Sequence, residues 1–129
     1  MYILNGKILI QPLLDAQIQL NEAIKTAQSR LEITGAIKCF EYCYEMSWKI
    51  MRKILIEQGI DENVNSPRSV FRHAHSSGLI DNVQAWNDFI EKRNLTVHTY
   101  DGHLADIVFE SLPTFADELD LFVLKIKRL

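Results

Sequence analysis

Residues 36–58 read Ala36-Ile37-Lys38-Cys39-Phe40-Glu41-Tyr42-Cys43-Tyr44-Glu45-Met46-Ser47-Trp48-Lys49-Ile50-Met51-Arg52-Lys53-Ile54-Leu55-Ile56-Glu57-Gln58. Ile37, Phe40, Tyr44, Met51 and Leu55 recur at three-, four- and seven-residue steps. That period lays one apolar face along a helix. Gly59 follows as a C-terminal stop, and Gly35 either begins this helix or ends the one before it. A chain whose longest periodic stretch runs at the helical period, with few glycines and prolines to interrupt it, is expected to be all-α.

The flanking sequence repeats the pattern. Upstream, Pro12 suits a first helical turn, and Leu13, Ala16, Leu20, Ile24, Ala27 and Leu31 continue a stripe expected to run to Leu31. Residues 2–10 place Asn5-Gly6 between two short apolar runs, which signals a hairpin. An isolated hairpin is marginal in water, so residues 1–11 are read as a short hairpin or an N-terminal arm. Downstream, Ser66-Pro67 reads as the N-cap and first-turn proline of a short helix closed near Gly78. Asp81-x-x-Gln84 resembles a capping box opening a helix through Trp86, Phe89 and Ile90 toward Arg93. Asp101-Gly102 breaks that pattern. A last helix carries Leu104, Val108, Phe115, Leu119, Phe122 and Ile126, with Pro113 expected to kink it. Four long amphipathic helices and one short one on short connections predict an up-and-down four-helix bundle. It forms a single domain over residues 12–129.

Composition narrows the function. The net charge of −3 argues against a protein that coats nucleic acid non-specifically, because that binding needs many cation–phosphate contacts. Cys39 and Cys43 stand four apart on a helix. With no basic-then-apolar leader ahead of them, they are expected to be reduced packing residues, and the cytoplasm is the expected compartment. No apolar run reaches membrane-spanning length.

The segment Arg93-Asn94-Leu95-Thr96-Val97-His98-Thr99-Tyr100 concentrates the chemistry. Arg93 offers a planar two-donor fork for phosphate, His98 moves a proton near neutral pH, and Tyr100 brings a hydroxyl that can be used or modified. On an ideal helix Arg93 and Tyr100 share a face roughly 10 Å apart, whereas His98 lies about 140° around from Arg93. Both can serve one phosphate only if the helix loosens over Thr96, Val97 and Thr99, or if a second copy of the chain supplies one of them.

The spacing Arg93-x4-His98-x-Tyr100 resembles the motif of the HEPN superfamily. Successive blocks extend the likeness: Ile37-Lys38, Phe40-Glu41, Glu45 and Trp48-Lys49; then Ser66-Pro67-Arg68 with Val70-Phe71-Arg72; then Gly78-Leu79-Ile80 and Trp86. Over roughly residues 12–125 the chain resembles the HepT-type branch, also described as nucleotidyltransferase substrate-binding proteins. The resemblance implies a HEPN-like homodimer paired with a cognate minimal nucleotidyltransferase antitoxin. It implies metal-independent RNA cleavage by Arg93 and His98, with no cofactor, and silencing when the partner places AMP on Tyr100. An alternative is a non-catalytic substrate-binding subunit of a two-component nucleotidyltransferase.

Plainer readings stand beside each assignment. Arg93 would pair with a carboxylate such as Asp88 or Glu91 on an ordinary surface helix, where the pair contributes little. Glu41 and Glu45 either line the cleft and orient Arg93 or His98, or belong to a solvated ladder in which Glu45 pairs with Lys49. Asn94, beside Arg93, is a further candidate for the cleft. Trp48 and Trp86 are expected in the core or at a dimer interface. Arg68, Arg72, His73 and His75 form a basic cluster that would guide RNA, meet an acidic partner, or simply be solvated. Asp101, Asp106, Glu110, Asp117, Glu118 and Asp120 make the stretch after the motif acidic. The histidines show no metal-ligand spacing, so no metal is expected.

Overall fold

The computed structural model describes residues 1–129 as five helices and one small hairpin. The hairpin pairs β1 (Ile3–Leu4) with β2 (Ile8–Leu9), Ile3 opposite Leu9 and Leu4 opposite Ile8. Asn5 and Gly6 both take positive φ, 53° and 69°, as an Asn-Gly turn requires. The hairpin is stable because it is not isolated. Leu4, Ile8 and Ile10 are buried in the main core, and Lys7 reaches Glu57 at 3.2 Å.

Helix α1 spans Gln11–Thr26 and α2 spans Arg30–Glu57. The boundary differs from the sequence expectation, and its cause is local. Ser29 accepts a hydrogen bond from the Glu32 amide while the Glu32 carboxylate accepts from the Ser29 amide, a reciprocal capping box that starts a new helix. The apolar stripe of α1 therefore stops short of Leu31, which is 82% exposed, and Gly35 lies inside α2. The same backbone bonds hold the Glu32 carboxyl below its ordinary pKa. Gly59 closes α2 at φ 89°.

Helix α3 (Pro67–Ser76) opens on a second capping box, Ser66 with Ser69. Helix α4 (Val83–Leu95) is capped by Asn82, whose side chain accepts from the Ala85 amide at 3.0 Å. The expected cap, Asp81, instead pairs with Lys125 of the last helix. Helix α5 (Gly102–Lys127) begins at Asp101, which accepts from the His103 and Leu104 amides, and it stays helical through Pro113. Pro113 is exposed, so its missing amide removes one bond to Phe109 on the wetter side of an otherwise anchored helix. No helix is long and apolar enough to cross a membrane.

The bundle closes around aromatic rings. Trp86 of α4 is 1% exposed and sits 5.3 Å from Phe71 of α3, 5.8 Å from Phe115 and 6.2 Å from Phe122 of α5. Phe115 meets Phe40 of α2 edge-on at 4.8 Å. Every long helix except α1 thus contributes to one ring network, of the tilted and T-shaped kind that aromatic quadrupoles favour. Cys43 packs in the same core, and burial pushes its thiol up to about 12. Truncation at the hub should be severe. Trp86→Ala is expected to lower the unfolding free energy by about 3–5 kcal/mol in urea denaturation.

A candidate active site at the end of helix α4

Arg93 lies in the last turn of α4, where backbone carbonyls lack helical partners and a cation is favoured. Its partner comes from another helix. Arg93 Nε donates to Glu45 Oε1 of α2 at 3.2 Å, and Nη1 donates to Thr96 Oγ1 at 2.8 Å. Thr96 Oγ1 in turn donates to the Arg93 carbonyl at 2.7 Å. The second carboxylate oxygen, Glu45 Oε2, accepts from Trp48 Nε1 at 3.1 Å. Neither Asp88 nor Glu91 pairs with Arg93, and Lys49 does not pair with Glu45.

This arrangement orients the guanidinium and leaves it usable. Five N–H bonds are available on the group, and two are engaged. Both N–H bonds of Nη2 remain for a ligand. The Arg93 side chain is 29% exposed, so an ion pair of this kind adds little stability and its consequence is direction. Behind it lies Tyr44, a buried phenol whose pKa is pushed up by burial first and by Glu45 second, opposed by the positive charges of Arg93 and Arg68.

The helix then loosens. Residues Thr96–His98 form a single 3-10 turn ending at Thr99. Thr96 is buried and its hydroxyl binds backward to Arg93. Such back-bonding competes with the regular ladder and favours termination. The tighter turn rotates the later side chains out of the α-helical register. His98 emerges exposed, with Nδ1 3.2 Å from the Tyr100 hydroxyl and the two rings edge-on at 5.8 Å. Tyr100 is 85% exposed. Two pairings result within the chain, Arg93 with Glu45 and His98 with Tyr100. No hydrogen bond joins Arg93 to His98.

Glu41 stands one turn before Glu45, pairs with Lys38 at 3.5 Å, and lines an open groove of about 600 Å³. Thr96 and Thr99 form its other wall, with Leu31, Thr34 and Gly35 on the α2 side. Asn94 is exposed, and its side chain makes no hydrogen bond. No three His, Cys, Asp or Glu side chains gather closely enough to hold a metal ion. Two participants escaped the sequence reading, Thr96 as the anchor of Arg93 and Trp48 as the donor that fixes Glu45. A threonine three residues after an arginine at a helix end was the available signal for the first. Thr96→Val keeps the shape and removes both hydroxyl bonds. It should cost about 1–2 kcal/mol in urea denaturation and speed amide exchange across residues 96–99.

Comparison with known proteins places the fold and the family. The family described as nucleotidyltransferase substrate binding protein like matches residues 10–128. A protein of Haemophilus influenzae named probable ribonuclease HepT is 35% identical over 89 residues, 67% of this chain. The aligned stretch spans 61% of that protein's length. Among solved structures, a protein of Thermus thermophilus superposes with a TM-score of 0.81 at 31% identity, covering 88% of this chain and 98% of its own. HI0074 of Haemophilus influenzae, described as having the fold of a substrate-binding domain of a nucleotidyltransferase, superposes with a TM-score of 0.82 at 25% identity. The match covers 92% of this chain and 99% of that one. With helices, motif and matched length in accord, the chain belongs to the HepT-type family of nucleotidyltransferase substrate-binding proteins, in the HEPN-like fold.

Proposed function

We propose that the protein is a metal-independent endoribonuclease, the toxin of a toxin–antitoxin pair, in which Arg93 and His98 are the catalytic residues. The observation that carries this reading is the pre-oriented guanidinium of Arg93, held on two sides with Nη2 unengaged, five residues before an exposed imidazole. His98 takes the proton from an RNA 2′-hydroxyl, and the resulting oxygen attacks the neighbouring phosphorus. The P–O5′ bond breaks and the leaving oxygen is protonated, giving a 2′,3′-cyclic phosphate and a 5′-hydroxyl. Arg93 stabilises the charge that gathers on the phosphoryl oxygens. The need for the 2′-hydroxyl limits the reaction to RNA.

A homodimer completes the site in this reading. No hydrogen bond joins Arg93 to His98 within one chain. Leu31, which lines the Glu41 groove, is a large apolar side chain left open to water, as are Tyr42 and Val97, the chain neighbours of the lining residues Glu41 and Thr96. A second copy covering that face buries them and brings its own motif alongside. Asn94 then lies at the mouth of the joint cleft. Incubating the purified protein with total tRNA in EDTA should yield cleavage, with His98→Ala and Arg93→Ala each slower by about 10²–10⁴-fold. Absent cleavage by the wild type, or equal cleavage by His98→Ala, would sink the assignment.

The exposure of Tyr100 favours a second, compatible reading, that of a substrate-binding subunit for a separate minimal nucleotidyltransferase. The Tyr100 oxygen would attack the α-phosphorus of ATP bound to that enzyme and release pyrophosphate. The added phosphate carries negative charge beside His98, breaks the His98–Tyr100 hydrogen bond, and can fold back onto Arg93. Co-expression with a cognate minimal nucleotidyltransferase should add whole AMP units to the intact mass. Tyr100→Phe should abolish them; labelling that persists in this variant would discard the site.

A further inference from the structure

The chain carries net charge −3, yet its cations are unevenly spread and unevenly paired. All five salt bridges engage Lys7, Arg30, Lys38, Arg93 or Lys125. From Met46 to Ile56 on α2 and from Ser66 to Gly78 across α3 there is no acidic residue at all. Those stretches hold Lys49, Arg52, Lys53, Arg68 and Arg72, together with His73 and His75. None of the five lysines and arginines pairs with a carboxylate, and only Arg52 is otherwise engaged, donating to the Val64 carbonyl at 2.8 Å. Helices α2 and α3 pack against each other, so the two carboxylate-free stretches lie on neighbouring elements, with Arg68 and Arg72 exposed along the α3 edge.

The geometry of α3 gives this edge a direction. Arg68, Arg72 and His75 are spaced i, i+4, i+7 and are all exposed, whereas Val70, Phe71 and Ala74 face the core. Phe71, one turn beyond Arg68, packs edge-on against Tyr44 at 6.2 Å. Tyr44 adjoins Glu45, the residue that holds Arg93, and its phenol lies in the fields of both Arg93 and Arg68. The stripe therefore begins beside the Arg93 site and leads away from it along α3. The acidic residues that follow the motif, Asp101, Asp106, Glu110, Asp117 and Asp120, lie on the last helix and its cap instead.

We infer that Arg68, Arg72 and His75 form a phosphate-binding track that holds the single-stranded RNA flanking the scissile linkage at Arg93. This rests on the ribonuclease reading and adds where the strand lies. Arginines four residues apart on a helix stand about 6 Å apart along its axis, close to the phosphate spacing of an extended strand. The inference explains how an acidic protein captures a polyanion, by one exposed stripe of α3 whose own sequence carries no carboxylate, although Asp61 and Glu62 approach His73 on its neighbouring face. It also predicts that contact is made with the backbone, so the track sets affinity and strand path with no base preference of its own.

The test measures binding apart from cleavage. In the His98→Ala background, fluorescence anisotropy with a short labelled single-stranded RNA is followed at several salt concentrations. Arg68→Glu with Arg72→Glu should weaken binding at least about tenfold at low salt, and the neutral Arg68→Gln/Arg72→Gln pair should reduce the slope of log affinity against log salt by about one to two. Lys25→Glu with Lys127→Glu, an equal charge change elsewhere, should alter affinity less than about twofold. Circular dichroism checks the fold of each variant. Equal loss in both charge-reversed pairs, or wild-type affinity in the Arg68/Arg72 pairs, overturns the track. The track also falls if those pairs leave RNA affinity intact but lose the co-expressed nucleotidyltransferase, since the edge then serves a protein. Cleavage by the His98-intact protein is scored separately, so a track that fails in an active ribonuclease is distinguished from a protein that binds RNA without cutting it.

Discussion

Burial of Trp86 is the constraint on which the geometry of this protein depends. Its indole contacts rings from α3, α4 and α5, and Phe115 carries the contact on to Phe40 of α2. A ring this large, packed edge-on against several others, leaves α4 little freedom to rotate or slide. Arg93 stands seven residues later on the same helix, two turns along and on nearly the same face. The core thus delivers the guanidinium to Glu45 of α2, across a separation of 48 residues in the chain. Orientation of a surface cation is achieved by apolar packing, which is far stronger than the ion pair it positions.

Polar groups at the helix end convert that rigidity into a usable site. Thr96 turns its hydroxyl back on Arg93, so one side chain both ends α4 and holds the cation. The same turn releases His98 and Tyr100 to solvent. A regular helix through residue 100 would have kept Arg93 and Tyr100 on one stripe with His98 on another. The 3-10 turn removes that register and allows the imidazole to meet the phenol. Both rings stand open to solvent, Tyr100 at 85% exposure. The guanidinium's supports are held differently: Thr96 is buried, and the part-exposed Glu45 carboxylate is fixed by the Trp48 indole donor.

Much of this was legible along the chain. Periodicity at 3–4 residues located the long helices, Gly59 marked a true stop, and Asn5-Gly6 marked a true turn with both residues left-handed. Loosening over Thr96, Val97 and Thr99 was one of two ways round the angular mismatch between Arg93 and His98, a second copy of the chain being the other, and a 3-10 turn does form over Thr96–His98. Glu45 was one of two carboxylates expected to orient the pair, and it is the one that binds Arg93. The misplaced boundaries share a cause. Leu31 continues the α1 stripe in spacing, but Ser29 and Glu32 cap a new helix between them, and the stripe ends. Asp81 has the composition of a cap and is drawn off by Lys125, 44 residues away. Cap choice is a competition among partners, and only one of the competitors is local.

By itself, then, the order of residues determined the class of fold and singled out the eight-residue segment that carries a guanidinium, an imidazole and a phenol together, because apolar period and turn chemistry act over neighbours a few positions apart. Which carboxylate holds Arg93, that Thr96 anchors it, and that Arg68 shares a field with it through Tyr44 were decided only in three dimensions. Those contacts join different helices, and their existence depends on the rotation each helix adopts when the aromatic core closes. Periodicity specifies which face is buried, whereas packing specifies what that face meets.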